Sequence, residues 1–462
     1  MLGTERGKGA LALVLGLLMA GPVSVVAATL DLKQCVAVAL KQNPDIQASQ
    51  AQLAQAEGAL RQARGQQWPK LTASVTATRS NDALNAFGLK LAQRNATFND
   101  FGASQFVGPA SLPVAPVNLN HPDPVNNYNT RLVVQIPLYN GGLISGYVDQ
   151  AHAFVKAAQQ GDAAARQQVV FRVVQAYQGV HAARAYVKVA QQALAAAEAY
   201  VKTSRNLLRE GVVVRSDLLS AEVNLGDVRV KLEEARHAQA SALDQLHLLL
   251  GMPLDQALDV GADFVPSAPS GDIAKLQAEA LEANPGVRAL RHQLDGAGAN
   301  VAVAKADYYP HFNAMLRQDW NNPTLRQTAP SYTVAGVLSW SVLDFGVTRG
   351  AVDRAEASRS EMQARLRQAE EGVRYQVADA WRGALEAEER VKAREIAVNQ
   401  AEEAQRLVQK RYENGVANMV EVLSALAQLD KARADLVAAR YQLTVQRSAL
   451  RLAAGQLDAE QL

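Results

Sequence analysis

The sequence feature that most restricts the fold is an unbroken hydrophobic repeat of period 3.5 from Val169 to Leu208. Steps of four and three along this stretch meet apolar residues at every position except Ser204. A repeat of period 3.5 predicts long helices that supercoil with a left hand. Extended back to Leu143, such a helix would be roughly 100 Å long at ~1.5 Å per residue, far longer than a globular core requires.

The same pattern appears again 204 positions later, over Val373–Tyr412. A second helix with a similar seam follows each long one, so that we expect two helical hairpins, over residues 143–250 and 347–454. Each hairpin turns at a glycine, in the matching segments EGVVVRSDLLSA and ENGVANMVEVLSA, which start at Glu210 and Glu413.

The whole chain is two copies of one unit. Asn-Pro at 43–44 and 284–285 and an aromatic-Pro pair at 68–69 and 309–310 both recur at a spacing of 241, whereas the corner glycines 211 and 415 recur at 204. The first copy therefore has 37 extra residues, which lie within 80–129 and show no sustained period. We expect repeats at 29–251 and 272–455, a linker at 252–271, a tail at 456–462 and a long loop at 80–129.

Four short segments alternate between apolar and polar residues and therefore predict β-strands. They lie at about 71–79, 130–139, 311–320 and 331–343. Each is long enough to cross a bilayer when tilted, and aromatic residues stand near the strand ends. A soluble sandwich would show the same alternation. Four strands cannot close a barrel, and open edges are excluded from lipid, so a barrel would require several copies of the chain.

The first 28 residues have the layout of a secretory signal peptide. Arg6 and Lys8 precede an apolar run, and Val26-Ala27-Ala28 offers small residues for cleavage. A membrane anchor is the alternative, although Gly21-Pro22 cuts the run short. We expect no transmembrane helix after residue 28. The context of the one cysteine, Cys35, does not match a lipidation site, so we expect a helix residue rather than an anchor.

The order of these motifs resembles the TolC family of outer-membrane efflux proteins. The resemblance covers about Thr29 to Gly455. It implies a mainly α fold with some β: a homotrimer in which each protomer gives four strands to a 12-stranded transmembrane β-barrel and four long helices to a periplasmic α-barrel. It also implies an outer-membrane location in a Gram-negative bacterium, and an exit duct for efflux or type I secretion. Expected partners are a periplasmic adaptor, an inner-membrane pump of RND, ABC or MFS type, and lipid.

The same resemblance places the periplasmic constriction and the adaptor-facing tips at the two corners. Candidate constriction residues are Arg215, Asp217, Tyr412 and Glu421, and candidate tip residues are Gly211, Val212, Val213, Gly415, Val416 and Ala417. The residues themselves leave other interpretations open. Asp217 and Glu421 would also suit the first turn of a helix, where the dipole favours a carboxylate. Tyr412 also lies on the heptad seam, where it would pack in the core. Contact between Arg215 and Glu421 is a further hypothesis.

Other classes of function find little support in the sequence. A net charge of +2 gives no reason to expect a nucleic-acid partner, and the seven histidines include no pair at metal-ligand spacing. No nucleophile, phosphate-binding or dinucleotide motif is present, so we expect neither an enzyme nor a cofactor. An exported coiled-coil protein with a structural or adhesive role remains the alternative to a channel.

Overall fold

A computed structural model describes residues 28–267 and 272–458. The predicted signal peptide lies outside these residues except for Ala28. In chain order the elements are β1 (Ala28–Leu30), α1 (Leu32–Gln42), α2 (Pro44–Gly65), β2 (Lys70–Ser80), α3 (Ala83–Ala92), α4 (Val117–Asn120), β3 (Val125–Tyr139), α5 (Leu143–Arg209), α6 (Arg215–Leu250), β4 (Leu258–Val260), α7 (Ile273–Ala283), α8 (Pro285–Lys305), β5 (His311–Asn322), β6 (Pro330–Ser339), α9 (Val347–Glu413) and α10 (Met419–Ala453).

Two compact units divide these elements. The first contains the residues up to Ala39 together with Val173–Phe264 and Ala401–Val437, and the second contains Leu40–Arg172, Val265–Gln400 and the residues from Ala438 onward. The four long helices of the predicted fold are present. The helices α5 and α9 both have 67 residues, and each bound of α9 lies 204 positions after that of α5.

The repeated Asn-Pro motif is a helix start. The side chain of Asn43 accepts a hydrogen bond from the Asp45 amide at 2.8 Å, and that of Asn284 accepts one from the Gly286 amide at 2.9 Å. The proline that follows each asparagine occupies the first helical position, where no N–H is needed. The motif therefore begins α2 and α8 at matching places in the two copies.

The second unit contains an antiparallel sheet in the order β2-β3-β5-β6. Its strands differ from the predicted bounds at their ends. Strand β3 begins at Val125 rather than about 130, because it pairs along the full length of β2 up to Ser80. Strand β6 ends at Ser339 rather than 343, because its neighbour β5 starts at His311, directly after a proline that has no N–H to donate.

The two faces of the sheet differ in polarity. Paired positions put Leu71, Val134, Leu316 and Val334 on one face, and Ser74, Arg131 and Asp319 on the other. Many side chains of the first face, including Leu71, Val75, Tyr332, Val334 and Leu338, are large, apolar and exposed. The sheet thus has an apolar face that a soluble protein would bury, and an opposite polar face.

Two features were missed or mistaken in the sequence. The parallel pair β1–β4 joins Ala28–Leu30 to the predicted linker, with Leu30 opposite Val260. The segment 80–129 is not a loop throughout, since it contains the ten-residue helix α3. Asp82 caps this helix by accepting a hydrogen bond from the Asn85 amide at 2.9 Å. The prediction was wrong because Asn, Gly and Pro after residue 93 dominate the composition of the segment.

Cys35 lies in α1, so the predicted helix residue is confirmed, and its side chain is also buried. Burial, with a smaller contribution from the charge of Asp31, raises the pKa of its thiol to about 12. A thiol with so high a pKa is protonated and unreactive at neutral pH. Within residues 28–267 and 272–458, no helix has both the length and the apolar character needed to span a membrane.

Candidate functional site: the two helix corners

The first corner connects α5 to α6 within the first unit. Gly211 has a φ of 74°, which is the left-handed conformation that glycine adopts without strain. Its N–H donates to the Leu208 carbonyl at 3.2 Å, and the N–H of Val212 donates to the Leu207 carbonyl at 2.9 Å. These two bonds form a Schellman motif, which satisfies carbonyl groups that would otherwise be left free at the helix end.

The second corner, between α9 and α10, has the same backbone. Gly415 has a φ of 70°, its N–H donates to the Tyr412 carbonyl at 2.9 Å, and Val416 donates to the Arg411 carbonyl at 2.8 Å. Both corner glycines are thus left-handed. The duplication therefore extends to individual hydrogen bonds in the turns.

An apolar cluster in the same unit packs the ends of all four long helices together. Its most buried members include Val201 of α5, Ala221 of α6, Tyr412 of α9, and Met419 and Val422 of α10. Such a cluster fixes the spacing of the two corners, because close packing leaves no room for one hairpin to slide past the other.

Tyr412 belongs to this cluster and not to the surface of the protomer. Its side chain is 1% exposed, and its hydroxyl lies 3.1 Å from the Ser204 hydroxyl of α5. Burial raises the pKa of the phenol, opposed by the Ser204 hydrogen bond and reinforced by the charge of Asp217. Of the two interpretations of Tyr412, core packing on the heptad seam is the one found in the protomer.

A chain of polar side chains runs along α9 from Gln405 to Glu413, the residue directly after Tyr412. Gln405 donates to the Tyr200 hydroxyl at 2.7 Å, and that hydroxyl donates to Gln409 at 3.2 Å. Gln409 in turn donates to the Glu413 carboxylate at 2.8 Å. The chain connects α5 to α9, and thus joins the two hairpins by direction-dependent contacts as well as by packing.

Glu421 helps to begin α10. Its backbone N–H donates to the side-chain oxygen of Asn418 at 3.0 Å, and its carboxylate accepts from the backbone N–H of Asn418 at 3.4 Å. These two reciprocal bonds form a capping box. The carboxylate also lies 3.4 Å from a terminal nitrogen of Arg411, across the corner. Both a helix-start role and a charge partner are therefore found for Glu421.

No contact between Arg215 and Glu421 is found among the described residues of one protomer, and a contact between protomers stays a prediction. The described residues place Arg411, and not Arg215, within ion-pair distance of Glu421. Arg411 was not a candidate in the sequence, because nothing in its spacing shows that the turn at Gly415 brings it back over the start of α10. A basic residue ten positions before an acidic one, with a corner glycine between them, is the signal that could have found this pair.

Arg215 and Asp217 have a different environment in the first corner. They lie in the first turn of α6, whose N-cap residue is Val214 and has no side-chain cap. Among the described residues neither side chain has a hydrogen-bond or ion-pair partner, and Arg215 is exposed. Asp217 favours the start of the helix through its charge alone.

The candidate tip residues divide into two groups. Val212 and Val416 are exposed, at 48% and 67%, but Val213 and Ala417 are half-buried against the apolar cluster. Two further valines at the corners, Val214 and Val420, are exposed but are not among the candidate tip residues. Exposed and packed side chains alternate through the turn, so neighbouring residues of the same motif differ in exposure.

Two relatives are similar in sequence to most of this chain. The alkaline protease secretion protein AprF of Pseudomonas aeruginosa is 25% identical over 345 residues, which is 72% of this chain and 70% of AprF. The probable efflux pump outer membrane protein TtgC of Pseudomonas putida is 22% identical over 377 residues, covering 78% of this chain and 77% of TtgC.

Solved structures of outer-membrane channels share the fold. The outer-membrane channel OprN matches 92% of this chain and 90% of its own, with a TM-score of 0.75 and 20% identity. The outer membrane protein VceC of Vibrio cholerae matches 92% of this chain and 96% of its own, with a TM-score of 0.74 and 20% identity. A family model described as outer membrane efflux protein matches residues 36–252 and 276–456. The chain belongs to the outer membrane efflux protein family.

Proposed function

We propose that three copies of this chain form an exit duct through the outer membrane of a Gram-negative bacterium and into its periplasm. The observation that carries the proposal is the four-stranded sheet, which has an apolar, exposed face and two edge strands, β2 and β6, whose outer edges pair with no strand among the described residues. In lipid every backbone group must be paired, so each edge has to find a strand of another copy. Three copies supply twelve strands, enough for a barrel with a lumen.

The sheet has the surface that a lipid-facing wall requires. Leu71, Val75, Leu316, Val334 and Leu338 are exposed on its apolar face. Exposed aromatic residues stand at or near strand ends, namely Trp68, Tyr139, Tyr309, Tyr332 and Trp340. Aromatic rings near the ends of membrane strands prefer the interface between lipid and water, so they support a transmembrane position for these four strands.

The corners would be the periplasmic end of the duct. The apolar side chains of Val212 and Val416 are exposed beside Gly211 and Gly415, which suits a docking surface for a periplasmic adaptor protein. Neither Arg215 nor Asp217 has a hydrogen-bond or ion-pair partner among the described residues, whereas Glu421 on the second corner lies 3.4 Å from Arg411. In a ring of three protomers these charges would surround the constriction and favour or oppose ions that pass it.

The duct itself would receive its substrate from an inner-membrane pump. Among the relatives, AprF is named for secretion of a protease and TtgC for an efflux pump, so that related chains serve very different cargoes. A passive duct explains this breadth, because the choice of cargo then belongs to the pump. We therefore propose a role in either tripartite efflux or type I secretion, with a pump of RND, ABC or MFS type and no catalytic activity in the duct.

Crosslinking in living cells tests the assignment of the corners. A photoreactive amino acid at Val212 or Val416 should crosslink to the adaptor of the partner pump. The matched control is Leu84, an exposed apolar residue of α3, which should give no adaptor adduct. Absence of adaptor adducts at both corners, or equal adducts at Leu84, would overturn the docking proposal.

Cell fractionation separates the duct from an exported coiled-coil protein of structural or adhesive role. The duct should be recovered with the outer membrane, resist extraction by high salt and require detergent for release. Recovery of the chain in the culture supernatant would contradict the proposed function.

A further inference from the structure

The polar face of the sheet carries an excess of positive charge. Within the four described strands its charged residues are Lys70, Arg131, Arg317 and Asp319, while Thr, Ser, Asn and Gln fill most other positions. Three cations and one anion give a net charge of +2 on this face of each protomer, if His311 is neutral. The one carboxylate, Asp319, lies between two of the three cations, Arg131 and Arg317.

Asp319 is the centre of this group. Its side chain is 7% exposed, and its Oδ1 accepts a hydrogen bond from the Nε of Arg131 at 2.7 Å. Its Oδ2 lies 2.9 Å from the Nε of Arg317. Asn129 donates to Oδ1 as well, at 3.1 Å. The carboxylate thus lies within ion-pair distance of both guanidinium groups, and it accepts a charge-assisted hydrogen bond from one of them, that of Arg131.

The outer ends of the two guanidinium groups remain accessible. The side chains of Arg131 and Arg317 are 41% and 34% exposed. Among the described residues the terminal nitrogens of Arg131 have no hydrogen-bond partner, and one terminal nitrogen of Arg317 donates to the Thr333 hydroxyl at 3.2 Å. The group as a whole has two positive charges, one negative charge and partly exposed guanidinium groups with unused donors.

Buried amides hold the group in place on one side. The side chain of Asn321 accepts hydrogen bonds from Asn127 and Asn129, both at 3.0 Å. Gln93, which follows α3, donates to Asn127 at 2.9 Å. This network restricts the rotamers of the residues around Asp319, so that ordering of the arginines on ligand binding would cost little entropy. A site that is ordered before its ligand arrives binds more tightly than a mobile one.

We propose that Arg131 and Arg317, held by Asp319, form an anion-recognition site in the wall of the duct. The ligand class is solutes that bear a carboxylate or a phosphate, since guanidinium groups match the geometry of both. The inference rests on the proposed function, in which the polar face lines the lumen. Three copies would make a ring with a net positive charge, and such rings favour anions over cations in pores.

Reversal potentials in planar lipid bilayers test the proposal. Wild-type protein and the double variant Arg131→Gln/Arg317→Gln are compared under a KCl gradient across the membrane. Loss of six positive charges from the trimer should lower the permeability ratio of chloride to potassium about threefold or more at 0.1 M salt, where charges on the lumen wall are only partly screened. Inorganic phosphate should also reduce the potassium chloride current of the wild type more than that of the variant.

Matched variants separate charge from damage to the fold. Arg79→Gln removes a positive charge from β2 on the opposite face, and it should leave the permeability ratio unchanged. Arg131→Lys/Arg317→Lys keeps the charge and should retain most of the chloride preference. An unchanged ratio in a conducting double Gln variant would overturn the anion site while the duct remains intact. Absence of any conductance in the wild type would instead contradict the proposed function.

Discussion

The two corners have the same backbone but different side-chain contacts. Both end a 67-residue helix with a Schellman motif at glycine, at Gly211 and Gly415. The second corner then adds a capping box at Asn418 and an ion pair between Arg411 and Glu421. The first corner has no capping box, because Val214 stands where the second copy has Asn418 and cannot cap. Its ion pair between α5 and α6, Arg205–Glu222 at 3.0 Å, starts six residues before Gly211, whereas Arg411 is four residues before Gly415.

This difference shows that the second corner satisfies more of its polar side chains within the protomer than the first corner does. The charged groups of the second corner are used within the protomer. At the first corner Arg215 is exposed at the position where the second copy has the buried Met419. Duplication has therefore preserved the turn, while the side chains of one copy remain available for contacts with other chains. We expect contacts with an adaptor or a neighbouring protomer to depend more on Arg215 and Asp217 than on Glu421.

Among the substitutions proposed here, loss of the Tyr412 side chain should cause the largest difference in local stability between the two corners. Tyr412→Ala removes a fully buried ring and should lower the free energy of local opening at the second corner by about 3–5 kcal/mol. Leu208→Ala, at the matching but half-buried position of the first copy, should cost about 1–2 kcal/mol. Hydrogen exchange of the amides that begin α6 and α10 measures both.

Tyr412→Phe is the control for this prediction. It retains the ring but loses the bond to the Ser204 hydroxyl, and should cost about 1 kcal/mol. Equal losses of stability from Tyr412→Ala and Leu208→Ala would show that the two positions stabilise their corners equally, although Tyr412 is the more deeply buried.

Exchange of the N-cap residues should come next in size. Asn418→Ala should lower the protection of the first-turn amides of α10 by about 1 kcal/mol, because the cap bond to Glu421 is lost. Val214→Asn should raise the protection of α6 by a similar amount, since Val214 already has the extended backbone of a cap residue. If Val214→Asn gave no gain, a missing cap would not be the reason for the difference between the corners.

The Arg411–Glu421 pair should contribute less. Both side chains are substantially exposed, so solvent screens the attraction, and a double-mutant cycle with Arg411→Gln and Glu421→Gln should give a coupling of about 0.5 kcal/mol. The coupling should fall when salt is raised to ~1 M, where the screening length is only ~3 Å. A coupling that did not change with salt would indicate packing rather than charge.

A smaller effect, a dependence of local stability on pH, is expected at His181 in the first unit. Burial lowers the pKa of this imidazole below its usual 6.5, with an opposing effect of Asp263 and Asp259 and a lowering effect of Arg184. The unfolded chain therefore takes up a proton before the folded one, so local stability is full above about pH 6.5 and falls as the pH drops below it.

Thermal unfolding at several pH values measures this effect. The wild type should lose stability between pH 7.5 and 5.5, and His181→Gln should lose less because it does not titrate. Residue 385, at the matching place in the second copy, is an exposed leucine. Identical pH profiles of the wild type and His181→Gln would assign the loss to other groups.

Long periodic segments were predictable from the sequence, and short or cooperative features were not. The heptad seam identified α5 and α9, because a pattern repeated over dozens of residues outweighs local exceptions such as Ser204. The strand alternation also revealed the two faces of the sheet. The pair β1–β4 has only three residues in each strand, too few to show a period.

The candidate site was predictable in its backbone but not in its contacts. The turns at Gly211 and Gly415 were predictable, because glycine commonly ends a helix in the left-handed conformation. The partner of Glu421 depends on how far the turn brings Arg411 back, which a linear pattern does not record. Likewise, Asp319 meets Arg131 only through strand pairing between residues 188 positions apart. Such pairings follow from the register of the whole sheet.

The most direct test of the exit-duct proposal is the conductance of purified protein whose mass is known. After detergent extraction, the chain should behave as a trimer by light scattering and form ion-conducting pores in planar lipid bilayers. Substitution of the second-corner residues Arg411 and Glu421 should then alter how often the pores open. Protein that is monomeric in detergent and adds no conductance to the bilayer would contradict the proposal.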